Sequence, residues 1–327
     1  KTVTSWSFPH CNLKESVGLS KLLSINAIDI GYFYKSAIDK KTLLKDYSRI
    51  INDLQKFDIE YSNLYHLFGD SLGDRNLANK DSLDENSKDI ETASKFCKEL
   101  GIRSIFVLPG IINKNQSRKD AFINSANSLK KLRDICDKNN ILLIFDEVQT
   151  GYGRTGNMFG AETVGVKPDI VTLAKGIAGG FPLAAVLGKS EIMDSIHEAG
   201  IGSTFGASPV SCAAALGVLD AFDNEDILKN ANKQAKTMNT FLSNLTNDFD
   251  FIGDVRGYGP MIGVEIVSDK ESKNPNKEKT QEIISNCKEK GLLLVSCGEF
   301  GNVIRFMGPL TTPIEQVEEA LGIFSES

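Results

Sequence analysis

The 327-residue sequence predicts an α/β protein. Three observations carry that expectation. Short apolar runs alternate with longer amphipathic stretches through residues 1–138. Two more apolar runs, Ile141 to Phe145 and Asp169 to Leu173, are followed at once by charged or glycine-rich chain. Beyond residue 222, helical periods and short strands mix, as in a small α+β layer.

The elements read as follows. Thr4 to His10 is a first strand, and Leu13, Val17, Leu19, Leu22 and Leu23 mark a helix after it. Asn26 to Phe33 is a second strand. Leu43 to Phe57 is one amphipathic helix, with Leu43, Leu44, Tyr47, Ile50, Ile51, Leu54 and Phe57 on its apolar side. Glu60 to Phe68 is a third strand. Gly69 to Asn86 is polar and charged, and reads as a mobile, solvated loop. Ser87 to Leu100 is a helix stopped at Gly101, a residue suited to a left-handed C-cap. Ser104 to Leu108 is a fourth strand, and Gln116 to Lys138 a long helix. Four βα units in a row are the front half of a βα-barrel pattern. Further on, Val210 to Phe222 and Asp226 to Leu245 are helical. Arg256 to Ile266 is a turn and strand, Thr280 to Lys290 a helix, Leu292 to Val295 and Asn302 to Phe306 strands, and Ile314 to Phe324 the last helix.

Composition narrows the function classes. The net charge of −6 argues against a nucleic-acid partner, which wants a basic face. The six cysteines are scattered, with no C-x-x-C, so neither a disulfide framework nor a zinc site is expected and a reducing cytoplasm fits. No run has the length of a membrane-spanning helix. No leader is visible, although the chain starts at Lys1 rather than Met.

The chemistry gathers between Ile141 and Val186. Ile141 to Phe145 has the length and Ile/Leu content of a buried parallel strand, and Asp146 and Glu147 sit at its C-terminal end. Asp169 to Leu173 ends just before Lys175, which is followed by Gly176, Gly179, Gly180 and Pro182. Strand ends of this kind place ligands at one rim. A lysine in a dry pocket becomes a nucleophile toward carbonyls. A carboxylate facing a pyridine nitrogen keeps the ring protonated. Pyridoxal phosphate needs both. Neighbouring strand residues face opposite sides, so only one of Asp146 and Glu147 can face such a ring. Arg154 in GYGRTG reads as structural or interfacial rather than catalytic. His10 and His66 at strand ends, with Asp29 or Asp70 near, are alternative metal ligands or structural histidines; His197 reads as bland.

The motifs D-E-V-Q-T-G-x-G-R-T-G, P-D-I-x-T-x-x-K-G-I-x-G-G-F-P and G-S-T-F-G-x-S-P resemble those of the class III, ornithine/acetylornithine/4-aminobutyrate type aminotransferases, over about residues 129–327. The resemblance implies a fold type I architecture, pyridoxal phosphate as cofactor and a homodimer. It implies Asp146 at the pyridine nitrogen, Gln149 near the ring hydroxyl and Lys175 as the lysine that holds the aldehyde. It further implies Thr204 reaching the cofactor phosphate across a dimer interface, Ser203 near the substrate and Arg305 clamping the substrate carboxylate. Met307-Gly308 stands where relatives usually carry proline-containing chain, which implies a looser backbone near Arg305. Residues 1–128, on SFPH, A-I-D-I-G and E-L-G-I-R-S-I-F-V-L-P-G, resemble instead the front half of a xylose isomerase-like barrel.

The expected fold is therefore a partial βα-barrel-like half joined, near Asn127 to Arg133, to the C-terminal part of a fold type I transferase. Its segments would be 1–128, 129–222 and a small domain at 223–327. The G-[ST]-x-A-x-E-x-A phosphate run and the ring-stacking aromatic of the family are not found in residues 1–128. Three readings stay open: an aminotransferase for an ω-amino acid or ornithine-like amine with an oxo acid, a metal-dependent sugar isomerase or epimerase fragment, and a non-catalytic chimeric chain.

Overall fold

Parallel strands need crossover helices, and the first part of the chain supplies them in regular order. The computed structural model describes residues 2–8, 10–32, 38–71, 73–108, 111–113, 116–196, 204 and 206–327. It divides into two compact units, Lys1–Ile141 and Leu142–Ser327.

In the first unit the elements are β1 (Thr2–Thr4), α1 (Leu13–Leu22), β2 (Ala27–Gly31), α2 (Lys40–Lys45), α3 (Tyr47–Leu54), β3 (Glu60–His66), α4 (Leu83–Leu100), β4 (Ser104–Val107) and α5 (Arg118–Asn139). The four strands form one parallel sheet in the order β1-β2-β3-β4. Gly31 is required where β2 passes β3, because a Cβ there would lie 2.7 Å from the Cβ of Tyr65. Ile28, Ile30 and Leu64 of the sheet pack with Leu43, Ile51, Leu54 and the Ala93, Phe96 and Cys97 face of α4. Gly101 closes α4 in the left-handed region at φ 71°, as its position predicts.

Three expectations are corrected here. The first strand stops at Thr4, because the amides of Phe8 and Cys11 close turns onto Ser5 and Phe8 instead of pairing with a neighbour. The expected single helix from Leu43 to Phe57 is two, parted at Asp46, whose backbone is extended at φ −155°. Leu43 of α2 and Leu54 of α3 nevertheless enter the same core. The stretch from 69 to 86 is not a solvated loop. Leu77 and Ala78 are buried, and Ser128, Gln116 and Asn124 donate to the carbonyls of Leu77 and Ala78 at 2.8, 2.6 and 3.1 Å. Its charges are partly committed too, with Arg75 2.7 Å from Asp89 of α4.

His66 closes β3 fully buried, and burial, reinforced by Lys40 and Arg75, pushes its pKa from 6.5 down to about 3. The unfolded chain takes up the proton first as the pH falls, so stability tied to His66 is full above 6.5 and is lost progressively from there toward 3. Denaturant melts compared between wild type and His66→Phe are expected to show a shallower acid loss in the variant. Equal slopes would contradict it.

The second unit begins with β5 (Ile144–Asp146), α6 (Gly160–Val164), β6 (Ile170–Leu173), β7 (Ala185–Gly188) and α7 (Ser190–Met193). It continues with α8 (Pro209–Asn224), α9 (Ile227–Asp248), β8 (Ile252–Tyr258), β9 (Met261–Ile266), α10 (Lys277–Glu289), β10 (Val295–Cys297), β11 (Val303–Phe306) and α11 (Ile314–Ser325). One sheet is β5-β6-β7, with β5 and β6 parallel and β7 antiparallel to β6. The other is the antiparallel sheet β10-β11-β9-β8. Its inner residues Val255, Ile262, Val264, Ile304 and Phe306 pack against Leu242 of α9, Ile283 of α10 and Leu321 of α11. The expected turn and strand over 256–266 is a full hairpin, turned at Gly259 with φ 55°. Gly257 permits it, since a Cβ there would meet the Met261 carbonyl oxygen at 2.0 Å.

Candidate active site

Because β5 and β6 are parallel, with Asp146 opposite Thr172, the residues that follow them emerge at one rim. Asp146 is exposed there. Its Oδ1 accepts from the Val148 amide at 3.1 Å and from the Thr172 hydroxyl at 3.4 Å. Glu147 turns the other way and is 2% exposed. Its carboxylate accepts from the amides of Gly160 at 2.9 Å and Ala161 at 2.6 Å, and from the Thr150 hydroxyl. It thereby ties the ends of the loop between β5 and α6 to each other.

Lys175 follows β6 in the left-handed region, φ 52°, which a side chain adopts only under constraint. It opens a short 3-10 turn closed by Gly179 and Gly180, both with positive φ. The twist directs Nζ to Gln149, whose Oε1 accepts from it at 2.9 Å. Gln149 Nε2 lies 3.1 Å from Met307 Sδ, two residues beyond Arg305. Arg305 sits on β11 between Gly263 and Val295, and its buried Nε has no hydrogen-bond partner among the described residues.

The chain around Met307-Gly308 is not loose. Arg154 Nη1 donates to the Gly308 carbonyl at 2.9 Å, and burial lowers the pKa of that guanidinium. Gln234 Nε2 reaches the carbonyls of Pro309, Leu310 and Thr312 at 3.3, 3.0 and 2.8 Å. Gly153, at φ 83°, lets Leu310 approach, since a Cβ would lie 2.7 Å from Leu310 Cδ1. The loop that carries Gly153 and Arg154 on one side and Gln234 of α9 on the other thus replace the stiffness that proline would provide.

The structure brings Lys175 and Gln149 into contact, and Gln149 to Met307, two residues beyond Arg305; Asp146 ends the strand beside Thr172, and neither it nor the Arg305 side chain bonds to the Lys175–Gln149 pair among the described residues. Thr204 is exposed and makes no hydrogen bond to this group. Ser203 and His197 lie outside the described residues. Thr172 and Met307 are the members that sequence reasoning missed. A lone threonine within the apolar strand Ile170–Leu173 was the available signal for the first; nothing local marks the second. Among the described residues no three His, Cys, Asp or Glu side chains gather as metal ligands.

The family model "Aminotransferase class-III" matches residues 108–327. This chain belongs to the class III aminotransferase family. The match begins upstream of the Asn127–Arg133 join expected from sequence. Among curated relatives of this chain, 5-aminovalerate aminotransferase DavT of Pseudomonas aeruginosa is 43% identical over 216 residues, 66% of this chain and 51% of the relative. 4-Aminobutyrate aminotransferase GabT of Escherichia coli is 41% identical over 216 residues, again 66% and 51%. The chain spans about half the length of the curated relatives it matches. An amine transaminase from an uncultivated Pseudomonas species, solved in its PLP-bound form, superimposes with a TM-score of 0.63 at 25% identity, covering 88% of this chain and 73% of that one. That coverage reaches into the first unit. Class III aminotransferases use pyridoxal phosphate.

Proposed function

We propose that the rim formed by Asp146, Gln149, Lys175 and Arg305 is the pyridoxal-phosphate site of an aminotransferase. It would move the amino group of an ω-amino acid or ornithine-like amine to an oxo acid. The observation that carries this reading is the 2.9 Å contact of Lys175 Nζ with Gln149, beside an acid delivered by the adjacent strand. An amine next to an amide suits the neighbouring aldehyde and hydroxyl of the pyridoxal ring. Asp146 suits its nitrogen, because the second carboxylate oxygen takes no hydrogen bond from the described residues.

When bound, pyridoxal phosphate supplies an aldehyde for an amine to hold and a protonated ring that draws electrons from the substrate carbon. Lys175 Nζ would hold that aldehyde and, as a free amine, would be the base that moves the proton at the substrate carbon. Gln149 keeps Nζ at the rim. Asp146 would hold the proton on the ring nitrogen by its charge. Arg305 clamps the substrate carboxylate through its fork, with the unpartnered Nε as one donor. Ser203 contributes on the substrate side. Thr204 would serve the phosphate of a second subunit's cofactor, so the working form is a homodimer. Exposed Val210 and Leu216 on α8, 63% and 64% accessible, support a partner surface. The donor class is supported by relatives named for 5-aminovalerate and 4-aminobutyrate. We also keep 1–128, 129–222 and 223–327 as the segments, and the first as barrel-like, on the strength of its all-parallel strand order.

The test is turnover of 5-aminovalerate with an oxo acid in the presence of pyridoxal phosphate. Product is expected, and Arg305→Lys should raise KM roughly tenfold with kcat little changed, as loss of a charged hydrogen bond implies. No product from any ω-amino acid, or an unchanged KM, would contradict the assignment.

A further inference from the structure

The first unit contains a second cluster of polar groups that the aminotransferase reading does not use. It lies at the C-terminal ends of two neighbouring parallel strands, the place where such sheets bind ligands. Tyr32 directly follows β2, and His66 is the last residue of β3. Their rings meet edge to face, with centroids 5.4 Å apart, and Phe68 closes on His66 from another side at 4.9 Å. His66 is fully buried, yet neither ring nitrogen has a hydrogen-bond partner among the described residues. The Tyr32 hydroxyl is buried and unpartnered too. Buried polar atoms are paired in the great majority of cases, because leaving one unmet costs about 1–3 kcal/mol. Three such atoms on two touching rings therefore call for an occupant.

Charge indicates what kind. Lys40 opens α2 and stands over the Tyr32 ring, its Nζ 5.8 Å from the centroid. It donates to the Gly69 carbonyl and makes no ion pair among the described residues. Of the acids nearby, Asp70 is exposed to solvent and the others are engaged. Asp89 and Glu85 lie 2.7 and 3.0 Å from Arg75, and Asp74 accepts from the Asp70 amide at 2.9 Å. What is left over is an ammonium, a phenol O–H and the one N–H of an uncharged imidazole, three donors beside a single acceptor, the other ring nitrogen.

We propose that Lys40, Tyr32 and His66 form a binding site for a small oxyanion, a phosphate or a carboxylate group. The ammonium supplies the charge. The hydroxyl and ring N–H supply two directional bonds that water or protein would otherwise have to provide.

The chain has three histidines, so selective 15N-histidine labelling of the full protein gives few resonances, and His66→Phe assigns its own. Titration with inorganic phosphate is expected to move the His66 ring nitrogens saturably while His10 stays still. Lys40→Met removes the charge from a half-buried side chain outside the core, and should weaken the apparent affinity at least about tenfold. Tyr32→Phe deletes a single oxygen and should weaken it less. Acetate separates the two sources: competition by acetate at comparable concentration assigns a carboxylate, and indifference to it a phosphate. An unmoved His66, or a shift of equal size and midpoint in wild type and Lys40→Met, would overturn the proposal and leave the cluster as a hydrated interior.

Discussion

Glu147→Leu is expected to destabilise the second unit by about 2–4 kcal/mol, the sum for one buried and one half-buried amide left without an acceptor. The carboxylate is 2% exposed and takes the amides of Gly160 and Ala161 and the hydroxyl of Thr150. Leucine fills the volume but strands those donors. The backbone of Glu147 is itself fixed, its amide donating to Thr172 at 3.0 Å, so the residue cannot swing away to relieve the loss. Glu147→Gln keeps one acceptor oxygen and should cost about half as much. Denaturant melts of both variants measure the difference. Because the loop tied down by Glu147 also carries Gln149, Glu147→Leu should reduce cofactor uptake as well, whereas Glu147→Gln should largely retain it. A stable Glu147→Leu protein would show that the loop is held by other contacts.

Lys175→Ala is expected to lower turnover by at least about a thousandfold, since one atom, Nζ, both holds the aldehyde and moves the proton. Stability should respond differently. The backbone at position 175 is left-handed, φ 52°, which disfavours alanine as much as lysine. Lys175→Gly removes that strain, so it should be at least as stable as Lys175→Ala even though glycine gives the unfolded chain more freedom. Both variants should be equally inactive. That combination, strain kept for the sake of an amine's direction, is the signature of a backbone shaped by its chemistry. Rates come from turnover assays and stabilities from melts. A Lys175→Ala enzyme within tenfold of wild type would remove the lysine from the reaction.

The part of this site that was legible in the sequence is the part written in contiguous motifs. Asp146, Gln149 and Lys175 sit in two runs whose apolar strands and glycine turns identify both the rim and the family. The Arg154 contact to the Gly308 carbonyl was not legible, because it joins residues 154 positions apart and uses a backbone oxygen any residue could offer. The same holds for Glu147, whose acceptors' partners lie 13 and 14 residues downstream in a helix of one turn. Hydrophobic periodicity found the long helices α4 and α5 but joined α2 to α3, since Asp46 interrupts the pattern without altering its phase. The charges of 69–86 hid Leu77 and Ala78, two apolar residues buried alongside the polar Asn76, Ser82 and Asn86. Where tertiary partners decide the outcome, local pattern has nothing to register.

The account rests on Lys175 being the amine that takes the cofactor. Incubation of the chain with pyridoxal phosphate, reduction with borohydride and peptide mapping tests it directly. The account predicts a single pyridoxyl group on the peptide containing Lys175, with labelling weakened in Asp146→Ala. Labelling spread over surface lysines, or unchanged in amount in Lys175→Ala, would contradict it.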